Sequence, residues 1–228
     1  MEQLKNSECW YKDTCVEDCD NCVVYIQLKW QMDNSGLFKS QQRPITLYID
    51  SANEVDRVAY KRLASIRAGI EQYVDEHKNL YIASENTGNG KTSWAIKMLQ
   101  TYFHYTANGN YEHLKGMFVS VTDLLLRLKD FNNPISPEYK KQLETVDLVV
   151  FDDIAVTGIS QYDYTQLFNI INNRISAEKS NIFTSNVVKL NQLEKILGAR
   201  LASRIYNASE IIELKGRDRR DGSITDLV

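Results

Sequence analysis

Residues 80–98 read "LYIASENTGNGKTSWAIKM", and the fold turns on how this stretch is interpreted. Leu80–Ala83 has the length and apolar content of a buried strand, and Trp94, Met98, Leu99 and Tyr102 recur at the spacing of a helix that buries one face. Between them, "ENTGNGKTS" follows the phosphate-loop pattern G-x-x-x-x-G-K-[ST] except at its first position, where Glu85 stands in place of glycine. Strand before and helix after are the context in which such a loop binds phosphate: its backbone N–H groups lie at a helix N-terminus, where orphan donors and the helix dipole favour an anion. The spacing predicts an ATP site formed by Thr87, Gly88, Asn89, Gly90, Lys91, Thr92 and Ser93. Lys91 would reach the β- and γ-phosphates, and the Thr92 hydroxyl would ligate Mg²⁺. Glu85 is compatible with this if its backbone keeps to a permitted region and its carboxylate turns away from the triphosphate.

Working outward, apolar runs alternate with amphipathic segments. "MFVSV" (117–121), "DLVVF" (147–151) and "NIFTS" (181–185) read as strands, with helices beginning near Thr122 and running through Leu167, Ile171 and Ile175. Short continuous apolar strands separated by helices imply an α/β fold with a parallel sheet covered on both faces. "VDLVVFDDIA" ends its strand in adjacent carboxylates, predicting Asp152 on the Mg²⁺ side and Asp153 polarising an attacking water. Asn186, just beyond the next strand, offers an amide that can orient that water or sense the γ-phosphate. Near the C-terminus, six basic residues face three acidic ones between Arg200 and Arg220.

The chain has 228 residues, 43% of them apolar, enough for one sizeable core and a small appendage. No apolar run approaches a membrane span, and "MEQLKNSECW" lacks the features of a signal peptide, so a cytoplasmic protein is expected. A net charge of −3 argues against a uniformly basic surface. All four cysteines, Cys9, Cys15, Cys19 and Cys22, lie within fourteen residues. In a reducing compartment this clustering points to tetrahedral Zn²⁺ rather than disulfides, although the first spacing is wider than the common ligand pair. Two basic against six acidic residues in Met1–Cys22 make phosphate backbone a poor target for this module and a protein partner a better one. "VVYIQLKWQM" alternates apolar and polar residues and predicts a half-buried strand, followed by a loop or linker over 33–44. The expected organisation is a zinc module with its linker over 1–43 and an ATPase domain over 44–228. A helix is predicted over 53–77 with Val55, Ala59, Ile66, Ile70, Tyr73 and Val74 on its apolar side.

Taken in order, the phosphate loop, "VDLVVFDDIA", "TSN", "LGARLASRI" and "GRDRR" resemble the AAA+ domain of DnaC/DnaI-type replicative helicase loaders, relatives of the DnaA initiators and IstB transposition ATPases. The resemblance spans about Leu63 to Arg220, and the cysteine-rich start is similar, more loosely, to the zinc-bearing region of DnaI-type loaders. It implies Lys91 and Thr92 as nucleotide and Mg²⁺ ligands, Asp152 and Asp153 as the Walker B pair, and Asn186 as sensor 1. It further implies Arg204 as a finger into a neighbouring subunit's ATP site with Arg200 in support, and Arg220 as the sensor 2 counterpart. Eight residues follow Arg220 in this sequence, so no C-terminal helical lid is expected, and weak ATPase activity is expected of the isolated monomer. The implied partners are a hexameric DnaB-type helicase, gripped by the zinc module, further copies of the chain, and single-stranded DNA. For DNA, Arg127 and Lys129 of "TDLLLRLKDF" would track the backbone in a channel. A bacterial or bacteriophage source suits the compact size. Other classes stay open: a small-molecule kinase, a nucleotide-gated binding protein with little hydrolysis, and an IstB-like transposition ATPase.

Overall fold

A computed structural model of the chain describes residues 22–43, 45, 47, 54–107, 113–129, 136–216 and 218. Its centre is a five-stranded sheet in the order β2-β3-β4-β1-β5, with every neighbouring pair parallel. The strands are β1 (Asn79–Ala83), β2 (Gly116–Ser120), β3 (Leu148–Asp152), β4 (Ser180–Ser185) and β5 (Ser209–Glu213). The first four coincide closely with the runs expected from sequence. β5 was not among those runs, because it is an edge strand in which only Ile212 is buried and Glu210 and Glu213 break the apolar pattern.

Side-chain alternation divides the core in two. Leu80, Ile82, Phe118, Leu148, Val150 and Ile182 face one layer, while Tyr81, Met117, Val119, Val149, Phe151 and Phe183 face the other. The first layer is covered by α1 (Val23–Asn34), α2 (Glu54–Ala68), α3 (Ile70–Asp75) and α4 (Lys91–Thr106). The second is covered by α5 (Val121–Lys129), α6 (Pro137–Thr145), α7 (Gln161–Ser176), α8 (Leu190–Leu197) and α9 (Ala199–Ala208). On that second side Arg174 is wholly buried. It donates to the carbonyls of Leu143, Val146 and Ser180 and to Asn181 Oδ1 at 2.7–3.0 Å, tying α6, α7 and β4 together.

Two expectations are corrected. Residues 23–34 form a helix, not a strand. Leu28 and Met32 are four residues apart, so they satisfy both periods, but the buried face is completed by Gln27 and Gln31. Polar residues can sit there when their hydrogen bonds are met: Gln31 donates to His113 O and accepts from Lys115 N at the head of β2. Of the residues expected on the buried face, Ile26 and Trp30 are exposed and Val24 is half-buried. The predicted helix over 53–77 is two helices broken at Gly69, and Val55 lies on the exposed side while Tyr60 and Leu63 fill the core. The stretch after α1 is fastened to the body: Gln100 Nε2 donates to Gln41 O and Arg43 O. Gly36 has φ +85°, and a side chain there would strike Phe118 O, so only glycine lets the chain lie this close to β2. Cys9, Cys15, Cys19 and Arg220 lie outside the described residues.

Candidate functional site

The order of the sheet places β1 between β4 and β5, with β3 beyond β4. The carboxyl ends of β1, β3 and β4 therefore open on a common crevice where connections leave in opposite directions, the usual place for a ligand in a parallel α/β sheet. Each end contributes. From β1 the chain enters the loop 84–90 and turns into α4 at Gly90, whose φ of +98° demands glycine; Gly88, at +66°, is also left-handed. Ser84 accepts from the Asn86 N–H and from the Asn89 amide, which tightens the turn. Glu85 is exposed, has no positive φ and does not line the cavity, so the missing glycine leaves the loop's shape intact.

That cavity, about 300 Å³, is lined by Thr87, Gly88, Asn89, Gly90, Lys91, Thr92, Ser93, Asp153 and Asn186. All seven loop residues expected from the sequence are present, together with the second acid of β3 and the amide beyond β4. Lys91 is largely buried, and its Nζ donates to Asn86 O at 2.8 Å and to Asn89 Oδ1 at 3.4 Å. It is thus held over the loop by acceptors that an incoming phosphate oxygen can replace.

Asp152 stands behind the cavity. Thr92 Oγ1 donates to its Oδ1 at 2.8 Å, and Thr184 Oγ1 donates to the same oxygen at 2.7 Å. Burial pushes the Asp152 carboxyl up from its ordinary pKa; the hydroxyls of Thr184 and Thr92 oppose this, Asp153 adds to it, and Lys91 counters it. A carboxylate and a hydroxyl at hydrogen-bond distance form the oxygen donor set that suits a hard divalent cation. Thr184 also accepts from the Asp153 N–H at 2.9 Å, helping to fix Asp153 at a φ of +53° with its side chain exposed at the cavity. Sequence reasoning passed over Thr184 because a threonine inside "NIFTS" reads as a strand former.

The arginines occupy a different place. Arg200 and Arg204 line a second cavity with Phe168, Asn172, Ser203 and Asn207, sharing no residue with the first. The Arg200 guanidinium lies 5.1 Å from the Phe168 ring centroid, and Arg204 Nη2 donates to Ser176 Oγ at 2.9 Å; both side chains are exposed. On α5, Leu124 and Leu125 are buried and Arg127 is exposed. Lys129, the other cation expected at the DNA backbone, binds the fully buried Asp163 at 2.7 Å. Burial drives the Asp163 carboxyl upward, but Lys129 and the N–H and O–H of Ser160 outweigh it and hold the pKa below the ordinary carboxylate value.

Cys22, half-buried, stands at the head of α1. Among the described residues no cluster of metal-ligating side chains occurs, and no helix is long and apolar enough to cross a membrane.

Residues 40–222 match the family described as "IstB-like ATP binding protein". The replicative helicase loader DnaC of Buchnera aphidicola subsp. Baizongia pistaciae is 26% identical over 169 residues, covering 70% of this chain and 64% of that relative. A crystal structure of the DnaC helicase loader superposes with a TM-score of 0.59 at 25% identity, over 70% of this chain and 92% of the other. The DnaI crystal structure gives 0.57 at 23% identity over 75% and 88%, a likeness of fold. The chain thus spans just under two-thirds of the length of the curated relative it matches.

Proposed function

This chain belongs to the family of IstB-like ATP binding proteins, and from that membership we propose that it is an ATP-hydrolysing helicase loader, placing a DnaB-type hexameric helicase on single-stranded DNA. The observation that carries the reading is the convergence of the phosphate loop, Asp153 and Asn186 on one cavity, backed by Asp152 and its two threonines. Similarity to proteins named as replicative helicase loaders supplies the biological direction.

The division of labour follows from position. Backbone N–H groups from Thr87 to Ser93 hold the phosphates, and Lys91 exchanges Asn86 O for a phosphate oxygen. Thr92 and Asp152 would hold Mg²⁺, which when bound neutralises charge on the phosphates. Asp153, facing the cavity, polarises water for attack, and Asn186 orients it. Arg204, with Arg200 beside it, would complete a neighbouring copy's site, where a guanidinium's fixed fork suits a polyphosphate. Arg220 is assigned the sensor 2 role on the resemblance alone.

The N-terminal region, residues 1–43, is assigned to the helicase, with Cys9, Cys15, Cys19 and Cys22 around Zn²⁺. The exposed Arg127 is the side chain of α5 assigned to DNA. Mixing the chain with its host's replicative helicase, in ATP and in a non-hydrolysable analogue, and measuring the mass of the product tests the reading. A complex of defined stoichiometry is expected. Failure to associate under either condition would remove helicase loading and favour a transposition ATPase.

A further inference from the structure

The segment that leaves β5 brings an acid to the phosphate loop. Leu214 N donates to Ala83 O at 2.8 Å, and the next two N–H groups, of Lys215 and Gly216, each donate at 2.6 Å to the carboxylate of Asp56, a wholly buried residue in the first turn of α2. From the other side the phosphate loop holds the same segment. Asn86 Nδ2 donates to Lys215 O and Gly216 O, both at 3.0 Å, and Asn89 Nδ2 to Leu214 O at 3.3 Å. Fixed from both sides, the segment sets the Asp218 carboxylate against Gly88, in the space a side chain on that glycine would fill, and 3.4 Å from Thr87 Oγ1.

Gly88 and Thr87 line the cavity assigned to the nucleotide. A loop shaped to receive phosphate oxygens through its N–H groups therefore has an anion beside it already. A triphosphate would bring several negative charges to the same few ångströms, and in a partly buried site repulsion over that distance is large enough to change affinity by an order of magnitude.

We propose that Asp218 is an intramolecular anion that occupies the phosphate loop in the nucleotide-free protein and withdraws when a nucleoside triphosphate binds, so that nucleotide binding and release of Asp218 and of the backbone of 214–216 are linked. The inference rests on the reading of the cavity as an ATP site. Because Asn86 and Asn89 bond the backbone of 214–216 directly, displacement of the segment also changes the loop. Linkage runs both ways: a partner that draws the segment away raises nucleotide affinity by the factor by which nucleotide favours that partner.

The test is an equilibrium titration of the full chain with a fluorescent ATP analogue and Mg²⁺, in low and in high salt, for the wild type, Asp218→Asn, Asp218→Ala and Lys91→Ala. Asp218→Asn keeps the side chain's shape and removes its charge, and it is expected to bind about tenfold tighter at low salt. The gain should shrink as salt screens the repulsion, and Asp218→Ala should move in the same direction. Unchanged or weaker binding by both Asp218 variants, alongside wild-type binding that Lys91→Ala abolishes, overturns the inference and leaves the ATP site standing. Absence of binding in the wild type and in both Asp218 variants overturns the two together.

Discussion

The phosphate-loop cavity and the arginine-lined cavity are built on opposite principles. Around the phosphate loop, Lys91, Thr92 and Asp152 have hydrogen-bond partners within the chain, and those partners come from the loop after β1, from α4, from β3 and from β4 at once. Around Arg200 and Arg204, two exposed guanidinium groups rest, among the described residues, on Phe168 and Ser176. A pre-organised set of donors and acids can grip a ligand by itself. Lightly held arginines on an open face suit charge arriving from outside the chain. On the proposed reading, the difference assigns a second copy to completing the chemistry and not to holding the nucleotide.

The largest expected effect separates the two cavities outright. Arg204→Ala should leave ATP affinity of the monomer unchanged while lowering phosphate release by the assembled protein about 10³-fold, the low end for an arginine supplied in trans. Equal turnover by variant and wild type in the assembly would move the finger role elsewhere. Next, Lys91→Ala should weaken ATP binding about a hundredfold or more even in the monomer, since it removes a buried cation that lines the loop cavity; unchanged affinity in a nucleotide titration would refute the site.

A smaller effect probes how the first cavity is held. Thr184→Val keeps the shape and removes the hydroxyl that serves both Asp152 and the Asp153 N–H. Turnover should fall about tenfold and require more Mg²⁺, as when a group supporting a metal ligand is lost. A Mg²⁺ titration of the ATPase rate is the measurement, and an unshifted midpoint would make Thr184 a packing residue only.

The smallest effect concerns Lys129. Asp163 has a lowered pKa in the folded state, so its contribution to stability is present above the unfolded carboxylate value and is lost as pH falls through the folded one. Lys129→Met removes a cause of the lowering, so acid unfolding should begin at higher pH while stability near neutrality drops slightly. Urea midpoints across the acid range would show it.

Much of the first cavity was legible in the sequence, because β1, β3 and β4 are each central and buried on both faces, and their apolar runs end abruptly at polar residues that sit at the crevice. Order along the chain then placed Lys91, Asp153 and Asn186 together. What escaped depends on contacts distant in sequence. The Asp163 partner of Lys129 lies on another helix, and the two glutamines on the buried side of α1 are satisfied by backbone at the head of β2. No local period reports such partners, so α1 read as a strand and the tie between Lys129 and Asp163 stayed hidden. β5 hid behind its own acids: Glu210 is paired bidentately with Arg62 of α2 at 2.6 and 2.8 Å, an edge contact that interrupts the apolar pattern. Asp218 is a similar case, since nothing between residues 86 and 218 shows that the chain returns to the phosphate loop.

The division between grip and chemistry within the first cavity can be tested with a single substitution. Asp153 lines the cavity from the end of β3, opposite a loop that holds phosphate through its backbone and Lys91. For Asp153→Asn, ATP affinity and phosphate release are measured on the same preparation, with Mg²⁺ and with the assembled protein. ATP affinity within about twofold of wild type with phosphate release all but abolished is the expected result. Wild-type phosphate release, or loss of ATP binding itself, would contradict the assignment of water activation to Asp153.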